Sequence, residues 1–249
     1  MVTAAASKLV LQPAVGVYDR VFYSTMAIVL ALTVLIGFSP TFYLKAFGTG
    51  PMLTIVGLPF TPLVHLHGIL FTAWVVLFIA QTALVANHRV AVHRRLGIAG
   101  GLLAAAMVIA GTATAIKGAA RGGAPPSGDP LVFLAIPLFD MLMFPIFVGA
   151  ALWLRGNKEA HKRLMLLAYI SIIAAAVARL PGVLPLGPLW FFGLAFIFLM
   201  IAAIYDLVTR RRVHPVYIWG GILLVASVPL RLAVSGTGAW RAFAQFVTR

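Results

Sequence analysis

Residues 63–86 have the sequence LVHLHGILFTAWVVLFIAQTALVA, without a single Asp, Glu, Lys or Arg. A helix of this length rises about 36 Å at 1.5 Å per residue. About 20 predominantly apolar residues are enough to cross the hydrocarbon core of a bilayer. We therefore interpret this segment as a membrane-spanning helix.

Six more apolar windows flank that segment, and connections rich in Gly, Pro and charged residues separate them. The sequence thus predicts an all-α, polytopic membrane protein with seven transmembrane helices. The other windows lie at residues 21–44, 95–117, 131–154, 161–180, 186–208 and 215–235.

The composition supports the same class of protein. Of the 249 residues, 62% are hydrophobic and only 10% are charged, whereas soluble domains carry about 25% charged residues. Lipid must therefore solvate the outer surface. The absence of cysteine excludes disulfides and thiolate metal sites. The net charge of +14 does not predict nucleic-acid binding, because basic residues at the ends of apolar spans usually set topology.

Lys and Arg alternate in number between successive connections. Twelve of the 19 lie in the first 20 residues or after the second, fourth and sixth windows. Because positive charge is retained on the cytoplasmic side, we predict the N-terminus inside and the C-terminus outside. The twelve residues are Lys8, Arg20, Arg89, Arg94, Arg95, Arg155, Lys158, Lys162, Arg163, Arg210, Arg211 and Arg212.

The chain is expected to divide into three segments. Residues 1–20 form a cytoplasmic tail, residues 21–236 form the seven-helix bundle, and residues 237–249 form an amphipathic interfacial helix on the outer face. In that last helix, Trp240, Phe243 and Phe246 fall on one side.

A row of small residues marks the third window. Gly97, Gly101 and Ala105 recur every four residues. Stripes of this kind allow close helix contact in membranes.

The second window carries the sharpest polar pattern. His67, Trp74, Gln81 and His88 recur every seven residues, and a helix drifts only about 20° per heptad. We therefore predict one polar and aromatic stripe that faces the bundle interior. His65 lies about 200° around the helix from His67, at roughly 100° per residue, so the two do not face one ligand equally.

Ionisable groups inside membrane spans are costly and usually functional. The predicted topology places His67, Asp140, Arg179 and Arg231 at the outer-leaflet level. Their excess of positive charge leaves room for an anionic group. Three roles remain open for these charges: Asp140 pairs with one arginine to hold helices in register, the group contacts a ligand, or it takes part in acid–base chemistry.

Four histidines are candidate haem or metal ligands: His67, His88, His93 and His161. A structural role competes for most of the cytoplasmic histidines. His214, for example, precedes Pro215 at the start of the seventh window, where Pro favours the first turn of a helix.

Three runs resemble a group of uncharacterised bacterial multi-pass membrane proteins. They are His88–Gly97, Ala160–Ala168 and Tyr205–Pro215. The resemblance implies a bacterial inner membrane and brings no established activity. The run from His93 to Gly97 also resembles membrane cytochromes of the b561 kind. Those proteins pair their haem histidines closer together on one helix than His67 and His88, a departure that leaves at most a single interfacial haem open.

These observations predict an inner-membrane protein with an interior polar pocket for an amphipathic or anionic small molecule. A b-type haem or a quinone is the most concrete occupant, which makes electron transfer the leading function. The expected ligand contacts are His67, Trp74, Asp140, Arg179 and Arg231. A small-anion transporter, and a non-catalytic subunit or assembly factor with other membrane subunits as partners, are the alternatives. Whether the protein is an enzyme stays open.

Overall fold

A computed structural model describes residues 2–47, 54–125 and 128–249, with side chains from Gly16 onward except that of Ala46. The chain folds almost entirely into helices. They are α1 (Val2–Phe38), α2 (Pro62–Ala86), α3 (Val90–Ala120), α4 (Pro130–Phe133), α5 (Ala135–Trp153), α6 (Lys158–Val177), α7 (Pro188–Ala195), α8 (Ile197–Arg210), α9 (Pro215–Ser235) and α10 (Gly238–Val247).

The seven predicted spans are confirmed as helices long and apolar enough to cross a membrane. A π-helical turn, Ser39–Tyr43, extends the first span beyond α1, while α4 with α5 and α7 with α8 form the fourth and sixth spans. The spans are Gly16–Tyr43, Pro62–Ala86, Val90–Ala120, Pro130–Trp153, Lys158–Val177, Pro188–Arg210 and Pro215–Ser235.

The starts of three spans follow directly from local sequence. Thr61, Asp129 and His214 each accept a backbone N–H with their side chain, and each is followed by Pro. An N-cap satisfies a donor that a helix leaves unpaired, and Pro at the first position lacks that donor altogether. These pairs therefore fix where α2, α4 and α9 begin.

Helix α6 is the centre of the bundle. Inside its span 72% of the most apolar window is buried, against 17% for α2. It packs against α1, α5, α7 and α9. Helix α2 is therefore only partly covered by its neighbours, whereas α6 contacts protein on nearly every side.

The backbones of α1 and α6 approach each other closely at one glycine. A Cβ atom on Gly37 would overlap the carbonyl oxygen of Ala176. By contrast, Gly97 and Gly101 meet only side chains, at 3.6 and 3.7 Å from an ideal Cβ, and Ala105 is exposed. The small-residue stripe predicted on α3 is therefore not where two backbones meet.

The two ends of the chain are helical. Helix α1 begins at Val2, so the residues expected to form a tail continue the first span without a break. Helix α10 lies within residues 237–249, with Trp240 buried and its Nε1 donating to the carbonyl of Leu131 at 2.8 Å. Phe243 and Phe246 are exposed, so only part of the predicted apolar side packs on protein.

Candidate functional site

A cavity of about 310 Å³ lies at the end of the bundle where α1 ends and α2 begins. This volume is at the lower end of the range for small-molecule pockets, about 300–1,000 Å³. Most of its wall is apolar, and its phenylalanines are Phe38, Phe42, Phe60, Phe71, Phe133 and Phe191.

Four of the five predicted ligand contacts line this cavity. They are His67, Trp74, Asp140 and Arg179. The fifth, Arg231, is buried outside the lining and contacts other protein groups. Residues from α2, from α5 and from the turn after α6 are thus brought to one site.

Several buried polar atoms of the cavity wall lack protein partners. Eight buried side-chain nitrogen and oxygen atoms in the described residues have no hydrogen-bond partner, and six of them belong to residues that line this cavity. Buried polar groups are normally satisfied, and leaving one unpaired costs about 1–3 kcal/mol. Six of these eight atoms are thus concentrated around one cavity. The six atoms are Thr41 Oγ1, His67 Nδ1, Trp74 Nε1, Thr114 Oγ1, Tyr169 Oη and Arg179 Nε.

The two arginines predicted for the site have different surroundings. Arg231 Nη1 donates to Asp140 Oδ1 at 2.6 Å, and its other nitrogens donate to the carbonyl and hydroxyl of Ser227. This pair is the contact expected for Asp140, and it links α5 to α9. Arg179 donates to the carbonyl of Ala175 and forms no salt bridge within the described residues. The cavity therefore has a positive charge that protein carboxylates do not neutralise.

The two neighbouring histidines of α2 point in different directions. The His67 ring stacks on Phe71 with 4.1 Å between ring centroids, and its Nδ1 is buried without a partner. His65 is exposed, its Nδ1 lies 2.9 Å from the carbonyl of Thr61, and it does not line the cavity. Only His67 is available to a molecule in the cavity.

The predicted stripe is wrong at His88. Helix α2 ends at Ala86, and Asn87 closes its last turn with a backbone hydrogen bond to Ala83. His88 follows with a positive φ of 61° and is exposed to solvent. A seven-residue spacing places residues on one face only while the helix continues. The stripe therefore consists of His67, Trp74 and Gln81.

The four candidate haem or metal ligands do not form one site. His93 and His161 meet at the other end of the bundle from His67, with 6.2 Å between ring centroids. His161 Nδ1 lies 2.8 Å from the carbonyl of Ala151, which can only accept, so this nitrogen carries the proton. Over the described part of the chain, no three His, Asp or Glu side chains gather as a metal site.

A buried ionic network at that same end was not predicted. Arg163 is fully buried and donates from Nε to Asp206 Oδ2 at 2.8 Å, with a second bond from Nη2 to Oδ1. We call the network the charged cluster, and its members are Asp19, Glu159, Lys162, Arg163, Asp206 and Arg210.

The charged cluster ties three spans together. Asp19 of α1 accepts from Lys162 of α6 and from Arg210 of α8, and Tyr205 donates to it at 2.6 Å. Three acids meet three bases, so the cluster is neutral overall. On sequence alone, Arg163 counts only as a charge that sets topology and is not paired with an acid. The i,i+4 spacing of Glu159 and Arg163 was the available signal.

His214 connects the charged cluster to α9. Its backbone N–H donates to Asp206 Oδ2 at 3.2 Å, and its Nδ1 accepts from the N–H of Val216 at 3.2 Å. Partial burial and the nearby Arg163 guanidinium hold the pKa of His214 below its ordinary value. The neutral ring that a cap acceptor needs is thereby favoured, which supports the structural role.

No family model, curated protein or solved structure matches this chain. The chemistry of the cavity is therefore inferred from its lining. Trp74 Nε1 and Arg179 Nε can only donate, while the hydroxyls of Thr41, Thr114 and Tyr169 can donate or accept. Such a wall complements a ligand that presents acceptor oxygens on an otherwise apolar body.

Proposed function

We propose that this membrane protein binds an amphipathic small molecule with a quinone-like head group in the cavity, as a component of membrane electron transfer. The observation that supports this proposal best is the concentration of unpartnered buried polar atoms on one apolar wall. Ligand sites typically combine an apolar lining with a few convergent polar groups.

A quinone head fits the chemistry of the wall. Its carbonyl oxygens only accept hydrogen bonds, and the cavity offers donors from Trp74 and Arg179 together with the imidazole of His67. The flat ring has aromatic neighbours in the stacked His67–Phe71 pair. An apolar tail would find the remaining, largely hydrocarbon wall.

The lining favours a quinone over a b-type haem. Haem iron needs axial ligands from the protein, and His67 is the only histidine that lines the cavity. The cavity volume of about 310 Å³ also suits a single small ring better than a macrocycle.

Arg179 favours a second candidate, transport or binding of a small anion. Its charge has no carboxylate partner within the described residues, and exposed Lys117 and Arg121 add positive charge to the lining. Flux of a small anion into proteoliposomes, lost in Arg179→Gln and kept in Arg20→Gln, would favour this candidate over the quinone.

Paired histidine variants test the leading proposal. The His67→Ala variant removes a group of the cavity, whereas His65→Ala removes an exposed imidazole two residues away. A short-chain benzoquinone titrated into detergent-solubilised protein should quench tryptophan fluorescence in the wild type and in His65→Ala. The loss of one hydrogen bond predicts about tenfold weaker binding for His67→Ala.

Equal benzoquinone affinities of the two variants, or no saturable quenching in the wild type, would contradict a quinone site at His67. A visible spectrum of each preparation distinguishes haem. A Soret band that disappears in His67→Ala alone would replace the quinone by haem.

A further inference from the structure

Two groups of positive charges at the end of the bundle opposite the cavity differ in their surroundings. Lys162, Arg163 and Arg210 are paired within the charged cluster. A second group is exposed and takes part in no salt bridge in the described segments of the chain. We call it the basic patch, and its members are Arg89, Arg94, Arg95, Arg155 and Lys158.

Partly buried polar side chains form the inner side of the basic patch. Gln81 Nε2 donates to the carbonyl of His93 at 3.3 Å, and the His93 ring lies 6.2 Å from that of His161. Gln81 Oε1 and His93 Nδ1 are buried and unpartnered. They are the two remaining unpartnered atoms of the eight, so every such atom lies either at the cavity or here.

Exposed apolar side chains adjoin the basic patch. Trp153, at the end of α5, is 87% exposed, and Ile98 and Leu102, on one face of α3, are 72% and 70% exposed. Helices α3 and α5 pack against each other, so this surface is continuous between them. A molecule bound here would meet cations at its head and hydrocarbon along its length.

We propose that the basic patch binds the head group of an anionic phospholipid. Basic pockets between transmembrane helices, at the level of the head groups, are suited to such lipids. Five exposed cations without carboxylate partners supply the charge complementarity. If these cations served only to set the membrane topology, their positive charge alone would be sufficient. Such a role does not account for the unpartnered His93 Nδ1 beneath them, which can donate to a phosphate oxygen in the tautomer that protonates this nitrogen.

Lipid titration of the purified protein in neutral detergent tests this site. Native mass spectrometry should show saturable binding of phosphatidylglycerol and much weaker binding of phosphatidylcholine. The double variant Arg94→Gln/Arg155→Gln removes two exposed charges of the basic patch. At about 1 kcal/mol for each charge near a membrane surface, phosphatidylglycerol should bind about 30-fold more weakly.

The matched control is Arg211→Gln/Arg212→Gln, which removes two exposed arginines outside the basic patch at the same end of the bundle. It should bind phosphatidylglycerol as the wild type does. Equal losses in the two double variants would overturn the proposal, because binding would then depend only on total charge. Displacement of the lipid by millimolar inorganic phosphate would assign the site to a soluble anion. Neither result bears on the cavity, since none of these four arginines lines it.

Discussion

At the level of single residues, the carboxylates of this protein are all paired with basic side chains. The chain has five acidic residues, and each forms at least one salt bridge. An unpaired charge is expensive in a membrane, so this complete pairing is expected. Among the cations, Arg179 is partly buried, forms no salt bridge in the described residues and lines the cavity.

The Asp140–Arg231 pair should be worth far more than the Asp129–Arg241 pair. Both side chains of the first pair are almost inaccessible, whereas those of the second are 36% and 59% exposed. Removal of one partner from a buried pair typically costs about 3–5 kcal/mol because the other charge is left uncompensated. Asp140→Ala should therefore lower the melting temperature in detergent strongly.

The comparison variant is Asp129→Ala, which loses an exposed pair and the N-cap of α4. Those losses together should cost about 1–2 kcal/mol. Melting temperatures that fall equally in the two variants would show that burial of the first pair does not determine its contribution.

Sequence patterns located some of these residues and missed others for identifiable reasons. The spacing of His67, Trp74 and Gln81 predicted an inward-facing row, because periodicity follows from helix geometry alone. The same spacing failed at His88, where the chain leaves the helix with a positive φ. Arg163 was missed because its burial depends on Asp206, 43 residues later in the chain.

At the level of whole elements, α1 and α6 contact each other near both of their ends. They run in the same direction, with the Asp19–Lys162 pair near one end and the contact between Gly37 and Ala176 near the other. The sequence predicted both helices but not this contact. Close approach of two backbones depends on the packing angle, which a pattern on one helix does not contain.

Gly37→Ala should separate α1 from α6. The added methyl group would overlap a backbone carbonyl, which cannot rotate away as a flexible side chain can. Overpacking of this kind costs about 1–3 kcal/mol. Because Phe38 and Val34 of α1 line the cavity, the variant should also weaken benzoquinone binding. Thermal melting in detergent and fluorescence titration measure the two effects.

Gly149→Ala provides the control for that substitution. Gly149 lies within α5, is exposed, and has no heavy atom within 4 Å of an ideal Cβ. Alanine should be neutral there or stabilise the helix by up to about 1 kcal/mol. If both glycine variants melt at the wild-type temperature, the α1–α6 contact is not a tight constraint.

At the scale of the whole molecule, the two polar regions lie at opposite ends of an apolar core. The cavity is at one end, the charged cluster and basic patch are at the other, and the intervening buried residues include Leu30, Phe144, Leu166, Leu167 and Ile170. Composition and hydropathy predicted the seven spans because lipid imposes a minimum apolar length. The cavity could not be predicted in the same way, since its lining comes from segments spread over most of the chain that only three-dimensional packing brings together.

The orientation of these two ends is the remaining prediction, and it depends on charge counts. Lys162, Arg163 and Arg210 are neutralised by acids in the folded protein. This pairing does not change the predicted orientation, because topology depends on Lys and Arg while Asp and Glu contribute little. In a bacterial host, fluorescent-protein fusions after Gly156 and Arg212 should therefore be bright, and an alkaline phosphatase fusion at Arg249 should be active. An inactive phosphatase at Arg249, together with a bright fluorescent fusion there, would contradict the count of seven spans or their orientation. If the fusions after Gly156 and Arg212 were also dark, the orientation would be reversed and the cavity would lie on the cytoplasmic side.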